Sequence, residues 1–142
     1  TLHHEDSVIL WEFNYKPKAF DVIVFEYLPD VYYVKRVIGL PGQTVRYEDD
    51  QLYIDNQPIA EPFLEAGKEI ISYVDDFTFD FTLQEICQFD PCDVIPEGYY
   101  LVLGDNRPHS KDSRHIGLIS EDQILGKATW IQWPLSHFGK VE

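Results

Sequence analysis

Short runs of β-branched and aromatic residues recur along the chain, and turn-forming residues close each run. Val, Ile, Tyr and Phe favour strands, whereas Gly, Pro, Asn and Asp favour turns. Closely spaced short strands are typical of a coiled antiparallel sheet or barrel and not of βαβ units. The predicted strands are residues 7–13, 21–27, 31–38, 43–47, 51–54, 99–103 and 128–133. The fold is therefore predicted to be mainly β.

The length of 142 residues suits one domain with one core, here residues 1–142. Residues 60–93 are less regular and are interpreted as a variable insertion. Within it, Phe77, Phe79 and Phe81 alternate with polar residues as on a half-buried strand, and residues 82–87 predict a short helical turn. Residues 56–58 predict a further turn, and residues 120–123 resemble the start of a helix.

Charge and cysteine content exclude some classes of function. The net charge is −14, and no basic cluster is longer than Lys35-Arg36, so nucleic-acid binding is not expected. Cys87 and Cys92 lack a second pair or nearby histidines, which argues against a zinc site. A small disulfide and two unpaired thiols both stay open. No apolar stretch is long enough to cross a bilayer, and the chain is expected to be a fragment of a longer protein because it begins at Thr1 without a methionine.

Lys35 is a single lysine inside the predicted strand of residues 31–38. Strand side chains alternate between faces, so Lys35 shares a face with Tyr33 and Val37. The lysine can lay its stem over apolar surface with its ammonium in water, or it can be a desolvated amine. Desolvation lowers the pKa of a lysine, so such an amine can act as a general base near neutral pH. This segment alone leaves both interpretations open.

A polar loop, residues 104–114, follows the predicted strand of residues 99–103 and reads G-D-N-R-P-H-S-K-D-S-R. Such a segment can simply form a polar surface, because Gly104-Asp105-Asn106 is typical of turns. It can also hold a site, since carboxylates and guanidiniums fix one another's geometry through paired hydrogen bonds. Composition alone does not separate these two interpretations.

Two long motifs resemble those of a known family. Y-V-K-R-V-I-G-L-P-G at residues 33–42 and G-D-N-R-x-x-S-x-D-S-R at residues 104–114 resemble bacterial type I signal peptidases, and the short insertion is similar to that of the Gram-positive enzymes. Thr1-Leu2 is similar to the end of the family's S-M-x-P-T-L segment, residues 21–25 to its G-D-I-V-V-F strand, and residues 130–134 to its final aromatic strand. The resemblance covers almost the whole chain apart from residues 60–93.

The resemblance implies a membrane-anchored serine endopeptidase with a Ser/Lys dyad that removes signal peptides from exported preproteins. It implies a coiled-sheet or barrel-like fold, no metal and no cofactor. The expected location is the outer face of the cell membrane. Trp11, Trp130 or Trp133 are expected to contact the membrane surface as interfacial aromatic residues.

The resemblance also implies a role for each matching residue. Lys35 is expected to be the general base, and Ser110 the hydroxyl that orients its amine. Site support is expected from Arg36, Gly104, Asp105, Asp112 and Arg114, with the last two forming an ion pair behind the site. Pockets for small substrate side chains, as in an A-x-A-like cleavage site, are expected to include Leu2, Val8, Val24 and Val34. The nucleophilic serine and the membrane anchor are expected upstream of Thr1.

Two positions depart from the family pattern. Gln43 stands where Asp is usual after L-P-G, and Ala19-Phe20 stand where Arg-Gly is common before Asp21. Both positions look peripheral, so they bear on local turns and not on the chemistry.

Other functions remain as alternatives. Relatives that lack the dyad assist pilus assembly, and a non-catalytic factor of that kind would have pilin subunits as partners. A self-cleaving repressor-like domain shares the Ser/Lys chemistry but would need an N-terminal DNA-binding module. His109 and His115 flank the polar loop, yet relatives with a histidine base carry it in place of the lysine, a position that Lys35 occupies here.

Overall fold

The computed structural model describes residues 8–11, 15–70, 76–87 and 91–130, and for residues 8–11, 70, 129 and 130 it describes the backbone only. The strands in these ranges are β1 (Val8–Trp11), β2 (Val22–Leu28), β3 (Val31–Gly39), β4 (Val45–Glu48), β5 (Gln51–Ile54), β6 (Gln57–Ile59), β7 (Phe81–Thr82), β8 (Tyr99–Leu103), β9 (Ile119–Ser120) and β10 (Ile124–Trp130). The helices are α1 (Glu65–Ile70), α2 (Leu83–Ile86) and α3 (Ser113–Ile116), and 3₁₀ turns span Pro62–Leu64, Arg107–His109 and Glu121–Gln123.

The strands form two sheets in which all pairings are antiparallel. The first sheet has six strands in the order β1-β10-β2-β3-β8-β9, and the second has four in the order β6-β5-β4-β7. The prediction of a mainly β fold is confirmed. Within the described residues, no helix has the length and apolar character needed to cross a bilayer.

Two tight hairpins build the second sheet. Asp49 and Asp50 have positive φ and connect β4 to β5 in a two-residue turn. Asp55 and Asn56 also have positive φ and connect β5 to β6. The predicted turn at residues 56–58 is therefore wrong in part, because Pro58 lies in a strand. Since β6 is an edge strand, the missing N–H of the proline costs no hydrogen bond of the sheet.

The insertion (residues 60–93) is more regular than the sequence suggested. It contains α1, which the sequence did not predict, and α2, which lies within the helical turn predicted for residues 82–87 and is capped by Thr82. The predicted strand through three alternating phenylalanines is wrong, because only Phe81 lies in a strand. Phe77 and Phe81 are buried, whereas Phe79 is 70% exposed. The Sγ atoms of Cys87 and Cys92 are bonded, so the disulfide interpretation is the correct one.

The C-terminal part of the described chain also differs from its predicted bounds. Ser120 caps the 3₁₀ turn Glu121–Gln123, in agreement with the predicted helix start. The last strand begins at Ile124, four residues earlier than predicted. The final residues of the predicted strand, 131–133, lie outside the described ranges.

Strands β3 and β8 contribute to two cores. Ile38 and Leu101 pack on one side against the second sheet and the insertion. Val37 and Val102 pack on the other side, with Ile23, Phe25, Tyr33, Tyr100 and Ile119. This division follows from the alternation of side chains along a strand. It places Lys35 on the same side of β3 as Tyr33 and Val37.

Candidate active site

The register of β3 and β8 brings Lys35 to the start of the polar loop. Arg36 pairs with Leu103 across the two strands, so one further step along the ladder places Gly104 opposite Lys35. The Lys35 side chain is only 4% exposed, and its Nζ lies 5.6 Å from the ring centroid of Tyr33. The interpretation with the ammonium in bulk water is therefore wrong, and the amine is buried.

Ser110 meets the amine from the loop. Nζ of Lys35 donates a hydrogen bond to Oγ of Ser110 over 3.0 Å, and Ser110 is 7% exposed. The Ser110 hydroxyl also hydrogen-bonds the carboxylate of Asp112. Because a hydroxyl carries one proton, Ser110 donates to Asp112 and accepts from Lys35. The contacts form a line from Lys35 through Ser110 to Asp112.

Asp112 is fixed from behind by Arg114. Its Oδ1 accepts from Nε of Arg114 over 2.8 Å, and its Oδ2 accepts from an Nη of the same guanidinium over 2.8 Å. The backbone N–H of Gly104 donates to Oδ2 over 2.9 Å. Burial acts to raise the pKa of Asp112, but the hydrogen bonds and the charge of Arg114, with the bonds from Gly104 and Ser110, hold the pKa below its ordinary value. This carboxylate therefore stays ionised as an acceptor for Ser110.

Gly104 fits where a side chain would not. A Cβ added at this position would collide with Oγ of Ser110 and would lie 3.3 Å from Nζ of Lys35. The absence of a Cβ thus allows the loop backbone to approach the amine closely.

Arg36 and Asp105 form a second ion pair, on the opposite face of β3 from Lys35. The guanidinium binds both carboxylate oxygens of Asp105, over 2.9 and 2.7 Å. It also donates to the backbone carbonyl of Phe20 over 2.9 Å and stacks on the ring of Phe63, 4.1 Å from the centroid. These contacts connect Arg36, the neighbour of Lys35 in β3, to Asp105 of the polar loop.

Arg107 is a buried residue that the sequence did not single out. Its side chain has no exposed surface, and it pairs with the carboxylate of Glu61 over 2.6 Å. It also donates to the carbonyl of Gly104 and to the hydroxyls of Tyr47 and Thr78. No local pattern signals this role, because its side-chain partners lie 29 to 60 residues away in the chain.

The predicted substrate-lining residues lie apart from the lysine side chain. Val24 and Val34 are cross-strand neighbours of β2 and β3, and they pack together on the face opposite Lys35. Both are buried in this structure. Leu2 lies outside the described residues, and Val8 lies in β1, where the backbone alone is described. Their contact with substrate stays a prediction.

One edge of β3 is open beside the site, in the sense that no described strand pairs with it there. Strand β8 pairs with β3 only from Arg36 to Gly39, while β2 covers the other edge from Val31 to Arg36. Among the described residues, no strand pairs with β3 before Arg36 on the β8 side. A strand edge that is unpaired in this way is the kind of edge to which an extended peptide can add as a further strand.

Both departures from the family pattern affect turns. Phe20 has a φ of 70°, a left-handed conformation that favours glycine, and its ring packs against Phe63 with centroids 5.2 Å apart. The Gln43 side chain accepts from the backbone N–H of Leu40 over 2.8 Å. Neither residue touches Lys35 or Ser110 in the contacts described.

The described contacts of His115 do not include Lys35 or Ser110. Nδ1 of His115 accepts weakly from the backbone N–H of Asp112, over 3.4 Å. Across the described ranges, no three His, Cys, Asp or Glu residues are grouped so that they could hold a metal ion. The side chains of Trp11 and Trp130, and all of Trp133, lie outside what the structure describes.

Comparisons with known proteins give one consistent family. A family model described as signal peptidase, peptidase S26, matches residues 1–133. Signal peptidase IB of Staphylococcus aureus is 45% identical over 119 residues, which cover 83% of this chain and 62% of that protein. Signal peptidase I V of Bacillus subtilis is 39% identical over 129 residues, covering 89% of this chain and 74% of that protein. The chain therefore spans less than two thirds of the Staphylococcus protein.

A solved structure agrees with these sequence matches. The crystal structure of a signal peptidase I from Enterococcus faecalis superposes with a TM-score of 0.73 and 41% sequence identity. The match covers 81% of this chain and 98% of that one.

Proposed function

Because the chain belongs to the signal peptidase family, peptidase S26, we propose that it is the catalytic part of a serine endopeptidase that removes signal peptides from exported preproteins. The observation that carries this proposal is the buried amine of Lys35, held 3.0 Å from Ser110. Burial disfavours the charged form of an amine, so Lys35 is suited to be the general base.

The hydrogen bond to Ser110 orients the base. A neutral lysine amine has two N–H bonds and one lone pair. When one N–H donates to Oγ of Ser110, which itself donates to Asp112, the rotation of the amine is restricted. Its lone pair can then be directed at the nucleophilic serine, which is expected upstream of Thr1.

The reaction follows from these groups. Lys35 takes the proton of the nucleophilic hydroxyl as its oxygen attacks the scissile carbonyl, and the resulting ammonium gives the proton to the leaving amine. A water molecule then attacks the acyl-enzyme ester after giving a proton to Lys35, and that proton returns to the serine oxygen. Each half-reaction begins and ends with a neutral lysine.

The open edge of β3 supports a mode of substrate binding. A signal peptide in extended conformation can add a strand there and place its scissile bond beside Lys35. Its small side chains would enter pockets formed by Val24 and Val34, together with Leu2 and Val8, once the substrate is in place. We further propose that an upstream anchor holds the domain at the outer face of the cell membrane, where exported preproteins emerge.

Cleavage of a preprotein by the full-length protein tests the function. We expect one cut after a small residue of an A-x-A-like site, identified from the masses of both products. A preprotein with Trp at the residue before the cut is the matched control and is expected to stay intact. If the full-length protein binds the preprotein without cutting it, the non-catalytic assembly factor becomes the better interpretation.

Replacement of Ser110 by alanine is expected to lower kcat by about 10- to 100-fold, a smaller loss than removal of the base itself. The amine remains, but it loses the acceptor that orients it. We also expect the acid limb of the pH–rate profile to move, because the hydrogen-bond partner of the amine has changed. The measurement is kcat against pH for the full-length variant and the parent protein; coincident profiles would argue against the role of Ser110.

A further inference from the structure

We propose that Glu61 and Phe63, at the start of the insertion, are positioning residues for the Lys35–Ser110 pair. They flank Pro62 in one short segment, and each contacts an arginine that belongs to a different half of the site. This inference rests on the proposed function. It assigns a catalytic effect to two residues of the insertion, which act through the arginines that they contact.

Glu61 acts on the loop through Arg107. The two side chains pair over 2.6 Å, with exposed fractions of 6% for Glu61 and 0% for Arg107. A buried guanidinium is strongly destabilised without a counter-charge, so Glu61 determines where the Arg107 side chain can lie. From that position Nε of Arg107 donates to the carbonyl of Gly104 over 2.8 Å.

The position of the Gly104 backbone affects Lys35 and Ser110. Its carbonyl is held by Arg107 and its N–H by Asp112, so both polar groups of this residue are fixed. A Cβ at Gly104 would lie 3.3 Å from Nζ of Lys35 and would collide with Oγ of Ser110. A shift of this backbone therefore changes the distance between Lys35 and Ser110.

Phe63 acts on the strand through Arg36. The guanidinium of Arg36 stacks on the Phe63 ring, 4.1 Å from its centroid, while its N–H groups bind Asp105 and the carbonyl of Phe20. Phe20 also packs on Phe63, since the two ring centroids lie 5.2 Å apart. The stacked ring fixes the plane of the guanidinium and hence the position of Arg36, which is adjacent to Lys35 in β3.

The two contacts converge on one segment. Lys35 lies on β3 and Ser110 lies on the loop, and these two residues are 75 positions apart in the chain. Glu61 fixes the loop and Phe63 fixes the strand, while Leu64 of the same 3₁₀ turn is buried at 1% exposure. The segment 61–64 thus holds both halves of the pair at one spacing.

The first test is the variant Glu61→Gln in the full-length protein, with Glu48→Gln as the matched control. Glu48 loses the same charge, but it is exposed and forms its ion pair with Arg46 in the second sheet. For Glu61→Gln we expect kcat to fall by about 10- to 100-fold, as for a misplacement of reacting groups by about 1 Å, with KM nearly unchanged. The acid limb of the pH–rate profile should move to lower pH, because the uncompensated charge of Arg107 disfavours the Lys35 ammonium.

The second test is Phe63→Leu, which keeps apolar volume but removes the aromatic face under Arg36. Phe79→Leu is its control, because Phe79 is exposed. We expect kcat to fall by about tenfold in Phe63→Leu and to stay unchanged in Phe79→Leu. This variant removes no charge, so it tests the inference even if Glu61→Gln does not fold. Thermal unfolding of each variant identifies the folded ones.

The outcomes separate this inference from the proposed function. If Lys35→Ala is inactive but every folded variant at Glu61 and Phe63 has the kcat and the pH–rate profile of the parent, the positioning role is wrong and the peptidase function stands. If the parent protein itself does not cleave a preprotein, the proposed function is wrong, whereas cleavage by Lys35→Ala near the parent rate would refute the assignment of the base.

Discussion

Replacement of Lys35 by alanine is expected to lower kcat/KM for preprotein cleavage by about 1,000-fold or more, because the reaction loses its general base. Among the described residues, no other lysine amine hydrogen-bonds Ser110. His115, which follows the polar loop, accepts a hydrogen bond from the backbone N–H of Asp112. The variant should nevertheless fold, because the truncation removes the buried amine together with its aliphatic stem and so leaves no unpaired amine in the interior. The measurement is the rate of cleavage by the full-length protein, with circular dichroism and thermal unfolding as checks of the fold.

The control for Lys35→Ala is Lys18→Ala, which removes an exposed lysine from the chain segment before β2. This variant should cleave at the rate of the parent. Cleavage by folded Lys35→Ala at more than about a tenth of the parent rate would be too fast for an enzyme without its general base, and the assignment of the base would be wrong.

Introduction of a methyl group at Gly104 is expected to have the second largest effect. In Gly104→Ala the new Cβ cannot coexist with the present position of Ser110 and lies 3.3 Å from Nζ of Lys35. The loop must move, and we expect kcat to fall by about 100-fold, the size of effect produced by a displacement of about 1 Å. Cleavage kinetics of the folded variant measure this loss.

Gly42→Ala is the matched control for the glycine variant. Gly42 has a φ of 87°, so a side chain there is strained, but a Cβ would meet no atom within 4 Å. This control should lose stability by about 1–2 kcal/mol, as expected for a left-handed residue with a Cβ, and keep its kcat. Equal losses of kcat in both variants would show that general destabilisation, and not the collision near Lys35, is responsible.

Local sequence patterns predicted much of the fold. Alternation and turn residues placed β2, β3, β5 and β8 within one or two residues, because these strands have one or both faces buried and end at Gly, Pro or Asp. The patterns failed where a residue's environment comes from distant contacts. Pro58 is tolerated because β6 is an edge strand, and Phe79 is exposed although it alternates with two buried phenylalanines.

The candidate site was predictable only in part. Lys35, Ser110, Asp112 and Arg114 lie in two continuous motifs, so the family resemblance of those motifs was enough to group them. The pair of Glu61 and Arg107 could not be found in this way. An arginine followed by a proline in a polar loop looks solvated, and its burial depends on a carboxylate 46 residues earlier in the chain.

The position of β3 and β8 between two cores has an evolutionary consequence. A substitution in the packing on either side reaches the strand of Lys35 or the strand that leads into Gly104. Descendants of this sequence therefore cannot repack either interior freely while keeping the same turnover. Substitutions should accumulate at the hairpin turns and at the outer edges of the sheets, whereas β3 and β8 should change slowly and together.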